Sequence, residues 1–428
     1  MNFDFLHPKE KVAEILRRIY TFGMTTTSGG NVSMRDEKGN IWITPSSVDK
    51  GSITSADIVY IKNDGSVHGL HKPSSELPFH IAIYRARPDI RAVVHAHPPV
   101  LVAFSIIKKV PNTKILPQAF HLCGQVGYAP YQLPGSEALG QSIANEFAKG
   151  TNSVIMENHG TVVGGKTLQQ TFAHFETLEF CAKMEAQATS IGQVNSLSTQ
   201  QINTFYLHDR TPLPSFERAS TSEAELIVRS QLIKVIKRAY DQKLIISTFG
   251  TFSARLDKNS FVITPTDRDR YYLRREDLVL IKNGKREAGK KPSRSTLVHQ
   301  QIYQDHPDIN CIIFAQSPHT TAYAIARQQI DTRTIPESYI LLRELPLFPF
   351  GNQYHDGKEL SKTISKETPI VLIENDSIVV TGDAIITTFD RLEVAEFSAR
   401  SLTQARLLGT LHPIGNEEIN ELKDKFNL

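Results

Sequence analysis

His95-Ala96-His97-Pro98 lies in the first half of this chain, and a degraded form of it, Ala315-Gln316-Ser317-Pro318, follows 220 positions later. The same offset separates Thr44-Pro45-Ser46-Ser47 from Thr264-Pro265-Thr266-Asp267. Solenoid repeats are roughly 20–50 residues long. This much longer offset therefore indicates a duplicated domain, and each copy is large enough to bury a core of its own.

Three more motifs of the first copy have altered counterparts in the second. They are Ser28-Gly29-Gly30-Asn31 against Phe249-Gly250-Thr251-Phe252, Lys72-Pro73-Ser74-Ser75-Glu76 against Lys291-Pro292-Ser293-Arg294-Ser295, and Glu157-Asn158-His159-Gly160 against Glu374-Asn375-Asp376-Ser377. Residues that shape turns survive, while side chains with useful chemistry are lost. The contrast separates residues that build the fold from residues that do chemistry.

The predicted domains are residues 1–212 and 219–428, connected through the segment 211–224. Thr211-Pro212-Leu213-Pro214-Ser215 cannot continue a helix, because proline lacks the N–H donor and clashes with the preceding turn. The Ser/Thr/Glu run at 220–225 has the composition of a helix start.

Hydrophobic spacing in the first copy predicts helices interleaved with strands. The predicted helices are 9–22, 77–87, 137–147 and 168–189, and the predicted strands are 40–44, 58–61, 92–97 and 153–157. This order predicts an α/β protein in which each domain is a layered α/β/α structure. It leaves the strand order open.

Composition excludes several classes of function. A net charge of +3 on 428 residues is too small to indicate a nucleic-acid-binding surface. The sequence has no apolar run of the roughly 20 residues that span a bilayer and no visible secretory signal. Three cysteines make no spaced disulfide framework. We therefore expect a cytoplasmic protein without a nucleic-acid or membrane partner.

His95 and His97 stand two positions apart in a predicted strand, so their side chains project to the same face. His159 follows another short strand and supplies a third imidazole. Three histidines with an open position are typical of a catalytic zinc site. A chance pair on a solvated strand is the alternative. When the two copies are aligned motif by motif, however, all three histidines are replaced together, by Ala315, Ser317 and Asp376. This is expected for the loss of a metal site.

Glu76 is a candidate general acid or base, because a carboxylate beside a metal-bound substrate can move protons. It is lost in the second copy, where Ser295 replaces it. The alternative is a capping role, since an acidic residue is favoured in the first turn of a helix.

A third group of candidates consists of small polar and glycine residues at turns, which can form an anion cradle from N–H groups and hydroxyls. The candidates for phosphate binding are Gly30, Asn31, Ser46, Ser47, Ser74 and Ser75. The alternative is ordinary loop chemistry. On the sequence alignment Phe252 replaces Asn31. Weaker candidates are His80, His121 and Tyr128, each with a packing role as the alternative.

These motifs, in this order and spacing, resemble the class II aldolase/adducin family, which includes L-fuculose-1-phosphate aldolase and L-ribulose-5-phosphate 4-epimerase. The resemblance covers nearly the whole chain, once per copy. It implies two tandem class II aldolase-like domains, each with a central mixed or antiparallel sheet flanked by helices.

The resemblance also implies a function. One zinc ion per chain, in the first domain, would be bound by His95, His97 and His159, and the six cradle residues would hold a substrate phosphate. Glu76 would be the acid or base in the cleavage of a ketose 1-phosphate to dihydroxyacetone phosphate and an aldehyde. Epimerases of the family have aspartate at that position, so Glu76 favours the aldolase reaction.

Two departures accompany the resemblance. The tyrosine that the family's aldolases carry before Ala129-Pro130-Tyr131 is missing from the stretch 116–123, and the second copy is altered at every catalytic position. The second copy is therefore expected to be inactive. Because single-copy relatives are ring tetramers, we expect a homo-oligomer, either a dimer or a tetramer.

The sequence also allows two other hypotheses about function. One is a zinc-dependent epimerase or dehydratase acting on a related sugar phosphate. The other is an adducin-like interaction protein without chemistry.

Overall fold

The computed structural model describes residues 3–207, 213–218 and 220–428. The chain divides into two compact units. The first unit is Met1–Thr113 with Gln118–Lys183, and the second is Lys114–Pro117 with Met184–Leu428. The predicted domain ends at residues 1, 212 and 219 lie outside the described residues.

Seven α-helices lie in the first half of the described chain. They are α1 (Pro8–Thr21), α2 (Leu77–Ala86), α3 (Pro99–Ile106), α4 (Pro117–Cys123), α5 (Glu137–Ala148), α6 (Leu168–Ile191) and α7 (Thr199–Leu207). The predicted helices correspond to α1, α2, α5 and α6. Proline at the first or second helical position begins α1, α2 and α3, since its missing N–H would be unpaired there in any case.

The first unit contains eight strands. They are β1 (Asn31–Arg35), β2 (Ile41–Ile43), β3 (Val59–Ile61), β4 (Val67–His68), β5 (Ala92–Ala96), β6 (Val126–Ala129), β7 (Ser153–Met156) and β8 (Gly160–Gly165). They form one mixed sheet in the order β4-β3-β2-β1-β5-β8-β7-β6. Only the β6–β7 pair is parallel. In the β1–β5 pairing Asn31 stands opposite His95.

Helices cover both faces of this sheet. Val154 and Met156 of β7 point into a core cluster that includes Phe79 of α2 and Ile143 of α5. Ile155, between them, points to the other face, in a cluster with residues of α3, α4 and α6. The alternation follows from the period of two residues along a strand. The first unit is therefore a layered α/β/α structure.

The rest of the described chain repeats this plan. Its helices are α8 (Glu223–Asp241), α9 (Thr296–Asp305), α10 (Pro318–Ala326), α11 (Pro336–Leu342), α12 (Lys358–Thr363), α13 (Ile385–Leu408) and α14 (Asn416–Phe426). Its strands are β9 (Ser215–Phe216), β10 (Thr251–Asp257), β11 (Ser260–Ile263), β12 (Val279–Lys282), β13 (Lys285–Glu287), β14 (Cys311–Ala315), β15 (Leu347–Phe348), β16 (Ile370–Ile373) and β17 (Ile378–Gly382).

These nine strands form a second mixed sheet in the order β15-β16-β17-β14-β10-β11-β12-β13-β9. Its central pairing, β10 with β14, matches β1 with β5. The expected fold class of two tandem α/β/α domains is confirmed.

Candidate metal centre and active site

Strand β5 places two of the three histidines. His95 is fully buried near the end of the strand, and His97 follows the strand by one residue. Pro98 and Pro99 then end the strand and begin α3, because proline cannot donate to the sheet ladder. The Nδ1 atom of His95 lies 2.9 Å from the carbonyl oxygen of Thr161. That bond makes Nδ1 the protonated nitrogen and leaves Nε2 free to bind a metal.

The turn between β7 and β8 places the third histidine. Asn158 has a φ of 49°, a left-handed conformation that asparagine tolerates, and His159 follows it. Gly160 allows the close approach of this turn to β5. A Cβ atom there would lie 2.6 Å from the carbonyl oxygen of Ala96 and 2.7 Å from Cδ2 of His97. The sequence needs glycine here for the histidines to meet.

The three imidazoles meet closely enough to hold one metal ion. One ligand nitrogen from each of His95, His97 and His159 lies within 4.8 Å of the other two. The Nε2 atoms of His95 and His97 are 3.1 Å apart. Zinc–nitrogen bonds of about 2.0–2.1 Å at tetrahedral angles place two ligand nitrogens about 3.3 Å apart. The donor set and its spacing therefore fit a transition metal.

Burial keeps two of these ligands unprotonated. Loss of solvation, together with the neighbouring His95, lowers the pKa of His97 to about 3 and that of His159 to about 4. Both imidazoles are therefore neutral at pH 7, which is the form that binds metals.

Glu76 faces the histidines. It is the residue before α2, but its side chain makes no capping hydrogen bond there. Its Oε2 lies 3.2 Å from Nε2 of His95, and its Oε1 lies 3.3 Å from Nε2 of His159. Burial raises the pKa of Glu76, but the facing His95 and a hydrogen bond from Asn31 outweigh burial and bring this pKa well below its ordinary value. The carboxylate is therefore ionised at neutral pH.

The four serines of the predicted phosphate cradle come together at a junction of two loops. The Ser46 N–H donates to the carbonyl of Lys72 at 3.0 Å, and the Ser74 N–H donates to the carbonyl of Thr44 at 3.1 Å. The side chains of Ser47 and Ser75 are exposed beside this junction. Gly30, with a φ of 75°, passes next to β5, where a Cβ atom would lie 2.9 Å from the carbonyl oxygen of His95.

Two cradle residues use their side chains locally. Ser74 Oγ accepts a hydrogen bond from the backbone N–H of Glu76 at 3.3 Å. The amide of Asn31 donates to Glu76 Oε2 at 2.8 Å and contacts His80 on its other side. Asn31 is therefore attached to the carboxylate rather than turned toward the loop junction.

The weaker candidates are placed differently from one another. His80 is buried on α2 and belongs to the network around Glu76. His121 is exposed on α4, and Tyr128 lies on β6, at the edge of the sheet.

Lys50 is a buried cation that no sequence motif indicated, and its Nζ donates to the carbonyl of Pro45 at 2.9 Å. In the second unit the buried Arg270 donates to the carbonyl of Pro265 at 3.1 Å. A cation kept behind the same loop in both copies was the signal that could have revealed it.

Strand pairing corrects the counterparts assigned from sequence. Asn31 faces His95 across β1 and β5, whereas Thr251 faces Phe314 across β10 and β14. Phe314 therefore replaces His95, Gln316 replaces His97 and Thr251 replaces Asn31, and the predicted Ala315, Ser317 and Phe252 are wrong by one position. Pro318 begins α10 as Pro99 begins α3, so Pro318 corresponds to Pro99 and not to Pro98.

The remaining positions of the second site form hydrogen bonds with neighbouring residues. Asp376, in the place of His159, accepts hydrogen bonds from Tyr354 and Ser377, each at 3.2 Å. Arg294, in the place of Ser75, donates to the carbonyl of Phe205 and lies 3.9 Å from the centre of its ring. Burial raises the pKa of Asp376 to about 6. In the described part of the second unit, no group of three metal-binding side chains forms.

Comparisons with known proteins agree with the duplication. The family model described as Class II Aldolase and Adducin N-terminal domain matches residues 10–186 and again residues 230–403. No helix among the described residues is long and apolar enough to cross a bilayer.

Three curated relatives illustrate the similarity. A 5-deoxy-D-ribulose 1-phosphate aldolase of Bacillus thuringiensis is 31% identical over 45% of this chain and 91% of its own length. A 3-oxo-tetronate 4-phosphate decarboxylase of Haemophilus influenzae is 31% identical over 42% of this chain and 87% of its own length. An L-fuculose phosphate aldolase of Methanococcus maripaludis is 34% identical over 40% of this chain and 92% of its own length.

Proposed function

This chain belongs to the class II aldolase and adducin family, and we propose that its first unit is a metal-dependent aldolase acting on a sugar phosphate. The reaction is the cleavage of a ketose 1-phosphate to dihydroxyacetone phosphate and an aldehyde. One observation carries the proposal: a buried carboxylate, Glu76, lies 3.2 and 3.3 Å from two of three convergent histidines. The 5-deoxy-D-ribulose 1-phosphate aldolase among the relatives also acts on a ketose 1-phosphate.

His95, His97 and His159 would hold the metal, which we propose is one zinc ion per chain. Bound there, zinc would act as a Lewis acid toward the substrate's oxygens. The histidines are suited to this role because burial keeps His97 and His159 neutral at pH 7, and because Nδ1 of His95 faces the carbonyl oxygen of Thr161 and leaves Nε2 toward the site.

Glu76 would carry the proton. Retro-aldol cleavage breaks a carbon–carbon bond and leaves its electron pair on the carbon beside the carbonyl, which must then be protonated. In cleavage the substrate hydroxyl on the far side of the breaking bond becomes the aldehyde carbonyl, and Glu76 takes up its proton and passes it to this carbon. In the synthetic direction the ionised carboxylate removes the proton from the carbon and the hydroxyl regains it. Glu76 Oε1 accepts no hydrogen bond from a described residue, so this oxygen is available for the transfer.

The loop junction would bind the substrate phosphate. The proposed cradle is Gly30, Asn31, Ser46, Ser47, Ser74 and Ser75, where exposed hydroxyls and main-chain N–H groups favour an anion. We propose that Asn31 contributes through its main chain, because its amide side chain contacts Glu76 and His80.

A second candidate is a decarboxylase of a 3-oxo sugar-acid phosphate. The decarboxylase among the relatives is as similar to this chain as the 5-deoxyribulose phosphate aldolase is, at 31% identity. Decarboxylation likewise leaves an electron pair on a carbon beside a carbonyl, so Glu76 and the same histidines would serve both reactions.

We further propose a homo-oligomeric enzyme, either a dimer or a tetramer, in the cytoplasm, with domains at residues 1–212 and 219–428. The second domain would be catalytically silent.

Elemental mass spectrometry and product analysis on the natively purified chain test the function. We expect about one zinc per chain, and dihydroxyacetone phosphate from at least one member of a panel of ketose 1-phosphates. Carbon dioxide from a 3-oxo-tetronate phosphate would instead identify the decarboxylase. Two metals per chain would contradict a silent second unit. No metal and no product would refute the enzyme and favour an interaction protein.

A further inference from the structure

We propose that Asn31 and His80 are positioning residues that orient Glu76 through one directed chain of hydrogen bonds. The chain would hold Glu76 by Oε2 and leave Oε1 to move the proton. This inference deepens the proposed function and rests on it.

The chain runs through five buried side chains. The Tyr84 hydroxyl lies 2.7 Å from Ser33 Oγ, which lies 2.7 Å from Nδ1 of His80. Nε2 of His80 lies 2.5 Å from Oδ1 of Asn31, whose Nδ2 lies 2.8 Å from Oε2 of Glu76. All five residues are buried, so the chain of hydrogen bonds is shielded from bulk water.

The orientation of the Asn31 amide sets the direction of every bond. Its Nδ2 faces Oε2 of Glu76 and its Oδ1 faces Nε2 of His80. An amide nitrogen donates and an amide oxygen accepts. His80 must then donate from Nε2. A neutral imidazole has one donor and one acceptor, so Nδ1 accepts from Ser33. Ser33 in turn accepts from Tyr84.

His80 remains neutral in this position. Burial, followed by the neighbouring His95, lowers its pKa to about 3. At neutral pH it therefore has a single N–H, which Ser33 directs toward Asn31. The amide of Asn31 cannot rotate without placing its oxygen against the carboxylate.

The second unit shows which part of this hydrogen-bond chain belongs to the fold and which part belongs to the site. Ser253 lies 2.7 Å from both Nδ1 of His299 and the Tyr303 hydroxyl, so the distal half is kept. Thr251 and Ser295 replace Asn31 and Glu76, and Nε2 of His299 has no hydrogen-bond partner among the described residues. The distal half therefore belongs to the fold. The hydrogen bond from Nε2 of the histidine is present only in the unit that has the carboxylate.

Two substitutions of His80 distinguish positioning from packing. In His80→Gln the side-chain amide nitrogen reaches the place of Nε2 and can still donate to Asn31. His80→Asn is shorter, reaches only the place of Nδ1 and loses that donor. The matched control is His299→Asn in the second unit, which removes the same ring from the same framework where no asparagine follows.

The first readout is proton transfer by Glu76, measured as exchange of solvent deuterium into dihydroxyacetone phosphate, together with kcat, KM and zinc content. For His80→Asn we expect exchange and kcat to fall about 10–100-fold, as is typical when an outer partner is lost, with little change in KM or zinc. His80→Gln should regain most of this loss. His299→Asn should leave the exchange unchanged.

Equal losses in His80→Gln and His80→Asn, matched by equal losses of thermal stability, would assign His80 to packing and overturn the proposal. Wild-type activity in His80→Asn would also overturn it.

A second readout does not depend on activity. Long-range ¹H–¹⁵N correlation spectra report which ring nitrogen of His80 carries hydrogen, and His80→Gln identifies the signal by its loss. The directed chain requires hydrogen on Nε2, and hydrogen on Nδ1 would refute it. If the wild-type protein neither exchanges deuterium into dihydroxyacetone phosphate nor cleaves a ketose 1-phosphate, the proposed function fails. This spectrum still decides whether the directed chain of hydrogen bonds exists.

Discussion

The two units have the same framework around different sites. The shared framework consists of Ser33, His80 and Tyr84 in the first unit and Ser253, His299 and Tyr303 in the second, with the same 2.7 Å contacts. The turn before the third histidine is also kept, since Asn158 and Asn375 have φ angles of 49° and 51°. The comparison teaches that a buried histidine can belong to the fold, whereas the three convergent histidines and Glu76 do not.

The largest expected difference between the units concerns the metal. His97→Ala should lose the bound zinc and lower product formation by at least about a thousandfold, because a metal supplies several kcal/mol of transition-state stabilisation. The matched substitution Gln316→Ala should change neither zinc content nor rate. Elemental analysis and initial rates provide the measurement, and a loss of metal in Gln316→Ala would break the comparison.

The next difference concerns the carboxylate. Glu76→Gln keeps the shape of the side chain but removes its base, so kcat should fall by roughly 10²–10⁴-fold while zinc is retained. Ser295→Ala, at the corresponding position, should be silent. Steady-state kinetics on zinc-loaded protein measures the effect, and a fully active Glu76→Gln would remove Glu76 from the chemistry.

A smaller difference concerns the turn that brings His159 to β5. Gly160→Ala forces a methyl group against the carbonyl oxygen of Ala96 and His97, so it should lower the free energy of unfolding by about 1–3 kcal/mol and weaken metal binding. Ser377 already has a Cβ atom in the second unit, and Ser377→Ala should cost about 1 kcal/mol or less. Urea denaturation of the zinc-free chain compares the two. Equal losses would mean that the first unit needs glycine no more than the second does.

The smallest difference is in pH dependence. The pKa of Asp376 is raised from 3.8 to about 6 by burial, so its contribution to stability is present below pH 3.8 and is lost as pH rises through about 6. Asparagine does not ionise, so Asp376→Asn removes this pH-dependent loss of stability. Its stabilising effect should therefore be about 1 kcal/mol larger at pH 7.5 than at pH 5.

Thermal unfolding of wild type and Asp376→Asn at both pH values checks this prediction. A stabilising effect that does not change with pH would show that Asp376 does not titrate in this window.

Part of this structure was predictable from local pattern. The helices and strands follow hydrophobic periodicity, and the predicted helices 77–87 and 137–147 correspond to Leu77–Ala86 and Glu137–Ala148. The register of the second copy was not predictable to the residue. Pro318 can be aligned with either of two adjacent prolines, Pro98 or Pro99. The pairing of β10 with β14 shows that Pro99 is its counterpart.

The role of Glu76 also needed the tertiary structure. A glutamate before a helix has two plausible uses, and the sequence pattern is the same for a cap and for a catalytic carboxylate. The side chain makes no capping bond and turns to His95 and His159 instead. Likewise, Asn31 lies 45 positions before Glu76, and only the pairing of β1 with β5 brings it to the carboxylate.

The sequence by itself determined the duplication, the layered α/β/α class and the set of side chains that the second copy lacks, because these depend on periodicity and on comparison within one chain. The tertiary structure decided which atoms meet: the three histidine nitrogens, the two oxygens of Glu76, and the directed chain from Tyr84. Hydrogen bonds and metal ligation act over about 2–3 Å. Residues 45 or more positions apart reach that range only when strands pair in one register.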